Sequence, residues 1–309
     1  MNIINEFKPM KAAKTPETNP DWSKLWNLGW PKLVSPKLDG IRATVLNDGI
    51  YSRTLKPIRN AFAQSMFVRP ELDGFDGELI AGNPYGPDVF NRSTSAVMTI
   101  GCTTEVTFHV FDLVDPSGSI PYDTRLEMIH KRLSTLPGGV LRHIQVVPQI
   151  PVYDISAFHN ISEDHIKQGY EGSIVRTPQG LYKFGRSTLR EGYLVKIKWF
   201  QDDEAEVTGF EPLYSNQNPL IRNGVGDIKR SVAKEGLVEK EMLGALTVKM
   251  KDGRVFRVGS GFTAAEREEI WANKEKYLGA FIVYKHMPYG AQELPRAPIF
   301  KAFRHIEDM

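Results

Sequence analysis

The sequence Lys37-Leu38-Asp39-Gly40-Ile41-Arg42 leads directly into a strand-like run that ends at Leu46. In an extended chain alternate side chains share a face, so Lys37 and Asp39 point to the same side. Gly40 then permits a tight turn or a close approach of the backbone to a ligand. A lysine amine becomes a nucleophile once neighbouring cations or desolvation remove its proton. By itself the hexapeptide is equally consistent with a nucleophilic lysine and with a surface turn.

The segment Val195-Lys196-Ile197-Lys198-Trp199 alternates between apolar and cationic residues. This period of two predicts a strand with both ammonium groups on one face and the apolar side chains on the other. Such a strand is commonly just a solvated basic edge. Two cations beside a reactive lysine would instead bind a phosphate and keep the neighbouring amine partly neutral. Lys196 and Lys198 are therefore candidate catalytic residues.

Two short segments, Asp76-Gly77-Glu78 and Glu171-Gly172, each place a carboxylate beside a glycine at the border of a predicted strand. Carboxylates beside glycines are common in turns, yet their oxygens also suit hard cations and ribose hydroxyls. Glu78 and Glu171 are therefore candidate metal-binding residues, although neither segment is decisive alone.

The charge of the chain is informative only locally. Lysine and arginine outnumber aspartate and glutamate by just 39 to 37, so net charge does not indicate a polyanionic partner. Residues 176 to 198, however, contain six cations and one anion, Glu191, interleaved with tyrosine and phenylalanine and followed directly by Trp199 and Phe200. A solvated face is the usual explanation for such a run, but this mixture favours a polyanion with stackable bases.

The length of 309 residues allows about two domains, and 41% hydrophobic and 25% charged residues are typical of a globular protein. No apolar run approaches the ~20 residues of a membrane span, and residues 1–15 lack the apolar core of a signal peptide. We therefore expect a cytoplasmic protein. Cys102 is the only cysteine, which excludes an intramolecular disulfide and a cysteine-based zinc cluster.

Residues 1–199 are predicted to form a mixed domain of strands and helices, after an irregular arm of about 30 residues. Helices are predicted around Ser156 to Gln168 and after Thr124, where Glu127 completes the pattern of a capping box. The predicted strands are Lys32 to Val34, Ile41 to Leu46, Gly77 to Ala81, Glu105 to Val114, Gly172 to Arg176 and Tyr193 to Trp199.

Residues 200–309 have a different pattern, in which short strands surround one helix. That helix begins at a second capping-box pattern, Thr263 with Glu266, and extends to about Tyr277. The pattern predicts a small β-barrel of the OB type. Residues 213–240 interrupt it with a polar, glycine-containing insertion, which we expect to be a functional or disordered loop. The predicted strands are Ala205 to Phe210, Gly244 to Met250, Val255 to Gly259 and Phe281 to Lys285.

Taken in order, these segments resemble the covalent nucleotidyltransferase superfamily, specifically the minimal ATP-dependent DNA ligases of the chlorella-virus and bacteriophage type. Lys37 to Arg42 match the nucleophile motif K-x-D-G-x-R of that family. The resemblance spans about Ser35 to Asp308. The other matching stretches are Ser52 to Thr54, Phe75 to Leu79, Phe108 to Leu113, Tyr170 to Arg176, Leu194 to Lys198, and Pro295 to Phe300 with Arg304.

The resemblance implies an α+β fold. Its nucleotidyltransferase (adenylation) domain, with antiparallel sheets and flanking helices, would span residues 1–199, and an OB-fold β-barrel domain would span 200–309. The insertion at 213–240 takes the place of the latch, a loop that encircles nicked duplex DNA in this group. The implied enzyme is a monomer that seals 3′-hydroxyl/5′-phosphate nicks through a lysyl-AMP and a DNA-adenylate. It would use ATP with Mg²⁺, or with Mn²⁺ in its place, bind nicked duplex DNA and not membranes, and be encoded by a virus or phage.

The resemblance also implies roles for individual residues. The catalytic residues would be Lys37, Asp39, Lys196 and Lys198. Phe111 would stack on adenine, and Ser35 would lie near its exocyclic amine. The α-phosphate would contact Lys196 and Lys198, and the pyrophosphate would contact Arg296 and Arg304. The ATP site would also include Arg42, Glu78 and Glu171. The metal would bind Glu171 and Glu78, and DNA would bind Arg42, Arg53, Arg186, Lys229 and Arg230.

Two alternatives of different classes remain open. A messenger-RNA capping guanylyltransferase has the same nucleophile motif and a barrel domain, although the insertion and the stretches Ser52 to Asn60 and Tyr182 to Gly192 favour the ligase. A nick-binding protein that has lost its chemistry is disfavoured because Lys37 and Glu171 are both present. Label transfer from ATP but not from GTP would identify the ligase.

Overall fold

The computed structural model describes residues 7–13, 23–47, 49–287 and 294–304. The chain divides into two compact units, Met1–Trp199 and Phe200–Met309. Parts of the predicted N-terminal arm, residues 1–6 and 14–22, lie outside the described residues, as do residues 305–308 of the ligase-like stretch. Among the described residues, none of the helices combines the length and the apolarity needed to cross a bilayer.

Nine strands lie in the described part of the first unit. They are β1 (Lys32–Pro36), β2 (Ile41–Leu46), β3 (Gly49–Ser52), β4 (Phe75–Ile80), β5 (Thr107–Leu113), β6 (Ile144–Val146), β7 (Ile150–Val152), β8 (Gly172–Arg176) and β9 (Val195–Lys198). One sheet has the order β7-β1-β8-β9 and is antiparallel throughout. The other has the order β3-β2-β4-β5-β6, with a parallel pair only between β5 and β6. Each predicted strand of this unit is confirmed to within three residues at either end.

The helices of the first unit are α1 (Ser23–Trp26), α2 (Ala61–Phe67), α3 (Val89–Met98), α4 (Tyr122–Leu133), α5 (Gly138–Leu141) and α6 (Ile155–Lys167), with a 3₁₀ turn at Pro70–Leu72. The prediction for α6 is confirmed, and Asp154 caps it by accepting a hydrogen bond from the Ala157 amide. The capping box predicted at Thr124 is wrong. The helix starts earlier because Pro121 fixes the backbone at its N-cap.

The two faces of the four-stranded sheet differ, since one is apolar and buried and the other contains Lys196 and Lys198. Val34, Val175, Val195 and Ile197 are fully buried, and they pack with Phe158 of α6. Because side chains alternate across a strand, the residues between them point to the opposite face, towards the other sheet. The prediction that Lys196 and Lys198 share a face opposite Val195 and Ile197 is therefore confirmed.

The second unit contains β10 (Gln201–Asn216), β11 (Leu220–Arg222), β12 (Ile228–Arg230), β13 (Leu237–Lys249), β14 (Val255–Val258), β15 (Phe281–Met287) and β16 (Arg296–Phe303), with α7 (Ala264–Ala272), α8 (Lys274–Tyr277) and a 3₁₀ turn at Lys234–Gly236. The main sheet has the order β14-β13-β10-β15-β16. A bridge between Ser260 and Ile299 joins its two edges, as the predicted OB-type barrel requires. Sequence patterns missed β16, because Pro298 interrupts its strand-like run.

The insertion at 213–240 is built from paired strands rather than from an irregular loop, so this expectation is corrected. Asn216 pairs with Leu237, which extends β10 and β13 well beyond the sheet. Beyond that pair, β11 and β12 form a hairpin in which Leu220 lies opposite Arg230. Asn223 closes its turn by accepting hydrogen bonds from the amides of residues 225 and 227. We call residues 217–236 the distal hairpin.

The two predicted capping boxes make a matched pair for a stability test. At α7 the Thr263 hydroxyl accepts from the Glu266 amide at 3.2 Å, and the Glu266 carboxylate accepts from the Thr263 amide at 2.7 Å. Thr263→Ala should therefore lower the free energy of unfolding by about 1 kcal/mol. Thr124→Ala, in the first turn of α4 and exposed, should change it by less than about 0.5 kcal/mol. Urea denaturation of both variants gives the comparison, and equal losses would contradict the assigned caps.

Candidate active site

Lys37 is held at the junction between the two sheets of the first unit. It follows the last residue of β1, and its amide donates to the Gly172 carbonyl at 2.8 Å. Its own carbonyl accepts from the Glu171 amide at 3.3 Å. These two bonds continue the β1–β8 ladder and hold the backbone of Lys37 beside that of Glu171.

The Glu171 carboxylate bridges two lysines. One oxygen accepts from the ammonium of Lys37, and the other lies 2.6 Å from the ammonium of Lys198. Only 6% of the Glu171 side chain is exposed. Burial raises the pKa of this carboxyl, but the charges of Lys37 and Lys198 outweigh burial and leave the pKa below its ordinary value. Glu171 is therefore an ionised acceptor that gathers both lysines.

Two glycines permit the strand contacts that bring these groups together. A Cβ on Gly172 would lie 2.3 Å from the Ile197 carbonyl oxygen, and a Cβ on Gly40 would lie 2.6 Å from that of Leu79. Either contact would force the backbones apart. Close approach of the neighbouring strands therefore requires glycine at positions 172 and 40.

Arg42 is tied to a partner that the sequence did not identify. Its guanidinium donates two hydrogen bonds to the Asp76 carboxylate and a third to the Met10 carbonyl. Asp76 also accepts from the Tyr182 hydroxyl at 2.9 Å. The guanidinium carbon lies 5.3 Å from the centre of the Phe111 ring. Arg42 is thereby oriented over the residue expected to stack on the base.

Phe111 packs against a small cluster of buried apolar side chains. It packs, with Tyr170, on the buried side chains of Leu38, Ile80, Val89 and Val147. Ser35 is 3% exposed and precedes Lys37 by two residues, so both side chains lie on the same face of β1. This arrangement supports the expectation of a base near Phe111 and Ser35.

Glu78 and Asp39 complete the acidic side of the cluster. Burial raises the pKa of Glu78 to about 7, against the opposing charges of Lys37 and Arg42. The carboxylate of Asp39 raises it further, so Asp39 acts on Glu78 electrostatically. Burial of Glu78 therefore favours its protonated form more than in an ordinary, solvated glutamate.

The donor set is suited to a magnesium ion held mainly by a substrate. In the described part of the chain, none of the histidine, cysteine, aspartate and glutamate side chains group by three or more to hold a metal. Mg²⁺ usually takes only one or two carboxylates and completes its shell with water and substrate phosphates. Glu171 and Glu78, both electrostatically coupled to Lys37, fit that requirement.

The remaining residues of the sequence-based site lie elsewhere. Arg53 and Arg186 are exposed on the first unit, where Arg186 donates to the Ala12 carbonyl at 2.7 Å. In the second unit, Lys229 and Arg230 are exposed on β12, and Arg230 donates to the Asn218 carbonyl. Also in the second unit, Arg296 begins β16, and Arg304 forms an ion pair with Glu204.

Comparison with known proteins matches both units to domains of DNA ligases. Residues 9–198 match the family model of the ATP-dependent DNA ligase domain, and residues 238–304 match that of the DNA ligase OB-like domain. A DNA ligase of Haemophilus influenzae is 26% identical over 265 residues, which cover 84% of this chain and 80% of that protein.

Solved structures resemble the whole chain. The adenylated DNA ligase of Chlorella virus is 33% identical, with a TM-score of 0.53 over 97% of this chain and 99% of that one. A Lig E DNA ligase has a TM-score of 0.70 at 24% identity, over 96% of this chain and 98% of that one, and so shows the fold.

Proposed function

The chain belongs to the family of ATP-dependent DNA ligases, and on that premise we propose how its own residues carry out the reaction. In this family a lysine amine attacks the α-phosphate of ATP and releases pyrophosphate. The AMP then passes to the 5′-phosphate of a nick, and the 3′-hydroxyl displaces it to seal the strand. The ligase prediction is thus confirmed over the guanylyltransferase alternative.

Lys37 is the proposed nucleophile, and the observation that carries this assignment is the bridge of Glu171 between Lys37 and Lys198. In the first step the bond from Nζ to the α-phosphorus forms as the bond to pyrophosphate breaks, and the protons that the amine loses pass to solvent water. Glu171 orients the amine through its hydrogen bond. Because the displacement is in line, positioning and charge neutralisation supply most of the catalysis.

The other groups of the site bind ATP in this proposal. Lys196 and Lys198 lie on the same sheet face as Lys37 and neutralise the α-phosphate. Ser35 and Phe111 receive the adenine, and Glu78 contacts the ribose. Arg296 and Arg304 of the second unit orient the pyrophosphate. Glu171 and Glu78 would hold Mg²⁺, which neutralises charge on the phosphates when it is bound.

DNA is bound in this proposal by exposed cations on both units. Arg53 and Arg186 project from the first unit, and Lys229 and Arg230 from the distal hairpin of the second. Arg42 also faces the nick phosphate, oriented by its bonds to Asp76. We propose that the protein engages nicked duplex DNA as a monomer, with the distal hairpin as its latch.

Lys37→Ala should abolish transfer of label from α-labelled ATP to the protein, because alanine has no amine to form the bond to the α-phosphorus. Lys167→Ala is the matched control, since this lysine is 71% exposed on α6 and should leave transfer unchanged. A denaturing gel after incubation with Mg²⁺ measures both, with labelled GTP as the test for the guanylyltransferase alternative. Retained labelling in Lys37→Ala would contradict the assignment of the nucleophile.

The distal hairpin offers a second test, because it can be removed without cutting the sheet. Since Asn216 pairs with Leu237, residues 217–236 can be replaced by Asn-Gly, which closes a two-residue hairpin. The replacement removes four cations, Arg222, Lys229, Arg230 and Lys234, and two acids, Asp227 and Glu235. Affinity for a nicked duplex should fall, and its salt dependence should flatten, because each lost phosphate contact lowers the slope by about 0.9.

Formation of the Lys37 adenylate should survive the replacement nearly intact, because the residues around Lys37 belong to the first unit. Filter binding across a salt series and label transfer measure the two quantities. If nick affinity and salt slope both matched those of the intact chain, the hairpin would be a passive surface element.

A further inference from the structure

Gln149 contains a buried oxygen that the reaction scheme above does not use. It directly precedes β7, and its side-chain oxygen Oε1 is buried without a hydrogen-bond partner among the described residues. Most buried polar atoms in folded proteins have a partner, and an exception needs a reason. A ligand that donates a hydrogen bond at this place would be such a reason.

The hydrogen bond made by the side-chain nitrogen of Gln149 fixes the orientation of its amide. Its nitrogen Nε2 donates to the Val147 carbonyl at 3.1 Å. A carbonyl only accepts hydrogen bonds, so the nitrogen must occupy this side and Oε1 the other. Val147 belongs to the apolar cluster on which Phe111 packs, and its own amide donates to the Val110 carbonyl at 2.8 Å. Gln149 is thereby anchored to the wall of the proposed base pocket.

Strand register places Gln149 on the same face as the nucleophile. Val34 of β1 pairs with Ile150 of β7, and continuing this antiparallel register by one residue sets Gln149 opposite Ser35. Directly opposed residues in a ladder point to the same face of the sheet. Ser35 shares its face with Lys37, two residues further along β1. The Ser35 hydroxyl and the Gln149 amide therefore lie side by side on this face of the sheet, and the Lys37 amine lies on the same face two residues further along the chain from Ser35.

We propose that Gln149 determines base specificity, with Oε1 accepting a hydrogen bond from the exocyclic 6-amino group of adenine. This inference rests on the proposed function, since it assumes that ATP binds with its base against Phe111. Guanine has an oxygen acceptor at the same ring position, so it would place two acceptors against each other. A pocket built around a buried acceptor rejects a base without the matching donor.

The test compares ATP with purine riboside 5′-triphosphate, which has hydrogen in place of the 6-amino group. Intact-mass spectrometry of the protein resolves both adducts, after bound AMP has been removed with pyrophosphate. For the wild type, kcat/KM of adduct formation should be about tenfold higher with ATP, the value of one hydrogen bond to a buried group. In Gln149→Met, which keeps the side-chain length, this preference should fall to about twofold.

Gln145→Met is the matched control, because Gln145 is exposed on β6, four residues earlier, and its substitution should preserve the preference. Equal use of both nucleotides by the wild type would overturn the proposal without any variant. It would also be overturned if Gln149→Met kept the wild-type preference, especially if Ser35→Ala lost it. Absence of any adduct from ATP in the wild type would instead refute the proposed function.

Discussion

The carboxylate of Glu171 is the interaction on which the site depends. Glu171 directly precedes β8 and lies between the nucleophile candidate, which directly follows β1, and Lys198 at the end of β9, and it accepts from both ammonium groups. Three adjacent strands must therefore keep one register for the cluster to exist. Two like charges brought together in a buried place would repel, and the ionised carboxylate between them offsets that repulsion. The same arrangement leaves both cations on the face where we propose that the α-phosphate of ATP binds.

A second buried ion pair, between Arg42 and Asp76, links strands of the five-stranded sheet, as Glu171 links the strands of the four-stranded sheet. It connects β2 to β4, and through Tyr182 and Met10 it ties the segment after β8 and the N-terminal arm to the same point. Breaking a buried pair by removing one partner leaves an uncompensated charge. The proposed base pocket is therefore bordered at Phe111 by this second charge cluster, because the Arg42 guanidinium lies 5.3 Å from the centre of the Phe111 ring.

Local patterns predicted strands and site residues well, and long-range partners poorly. The β2 and β8 strands have the predicted bounds, because their β-branched runs are sharply bordered, and the grouping of Lys37 with Glu171 and Lys198 followed from the resemblance. The pairing of Arg42 with Asp76 and the face of Gln149 depend on register between distant strands, which no local pattern contains. The helices α2 and α3 were missed because they are short and partly polar, so their stability comes from packing.

The most direct test of the account is the titration of Glu171 itself. Carboxyl ¹³C NMR can follow this group in the wild type and in Lys198→Met, over the pH range in which the fold persists. Burial favours the protonated acid and the two ammonium groups oppose it, so the wild-type midpoint should lie below the ordinary 4.5 and should rise in Lys198→Met. A wild-type midpoint at or above 4.5, or the same midpoint in both proteins, would contradict the claim that Glu171 holds the two lysines together.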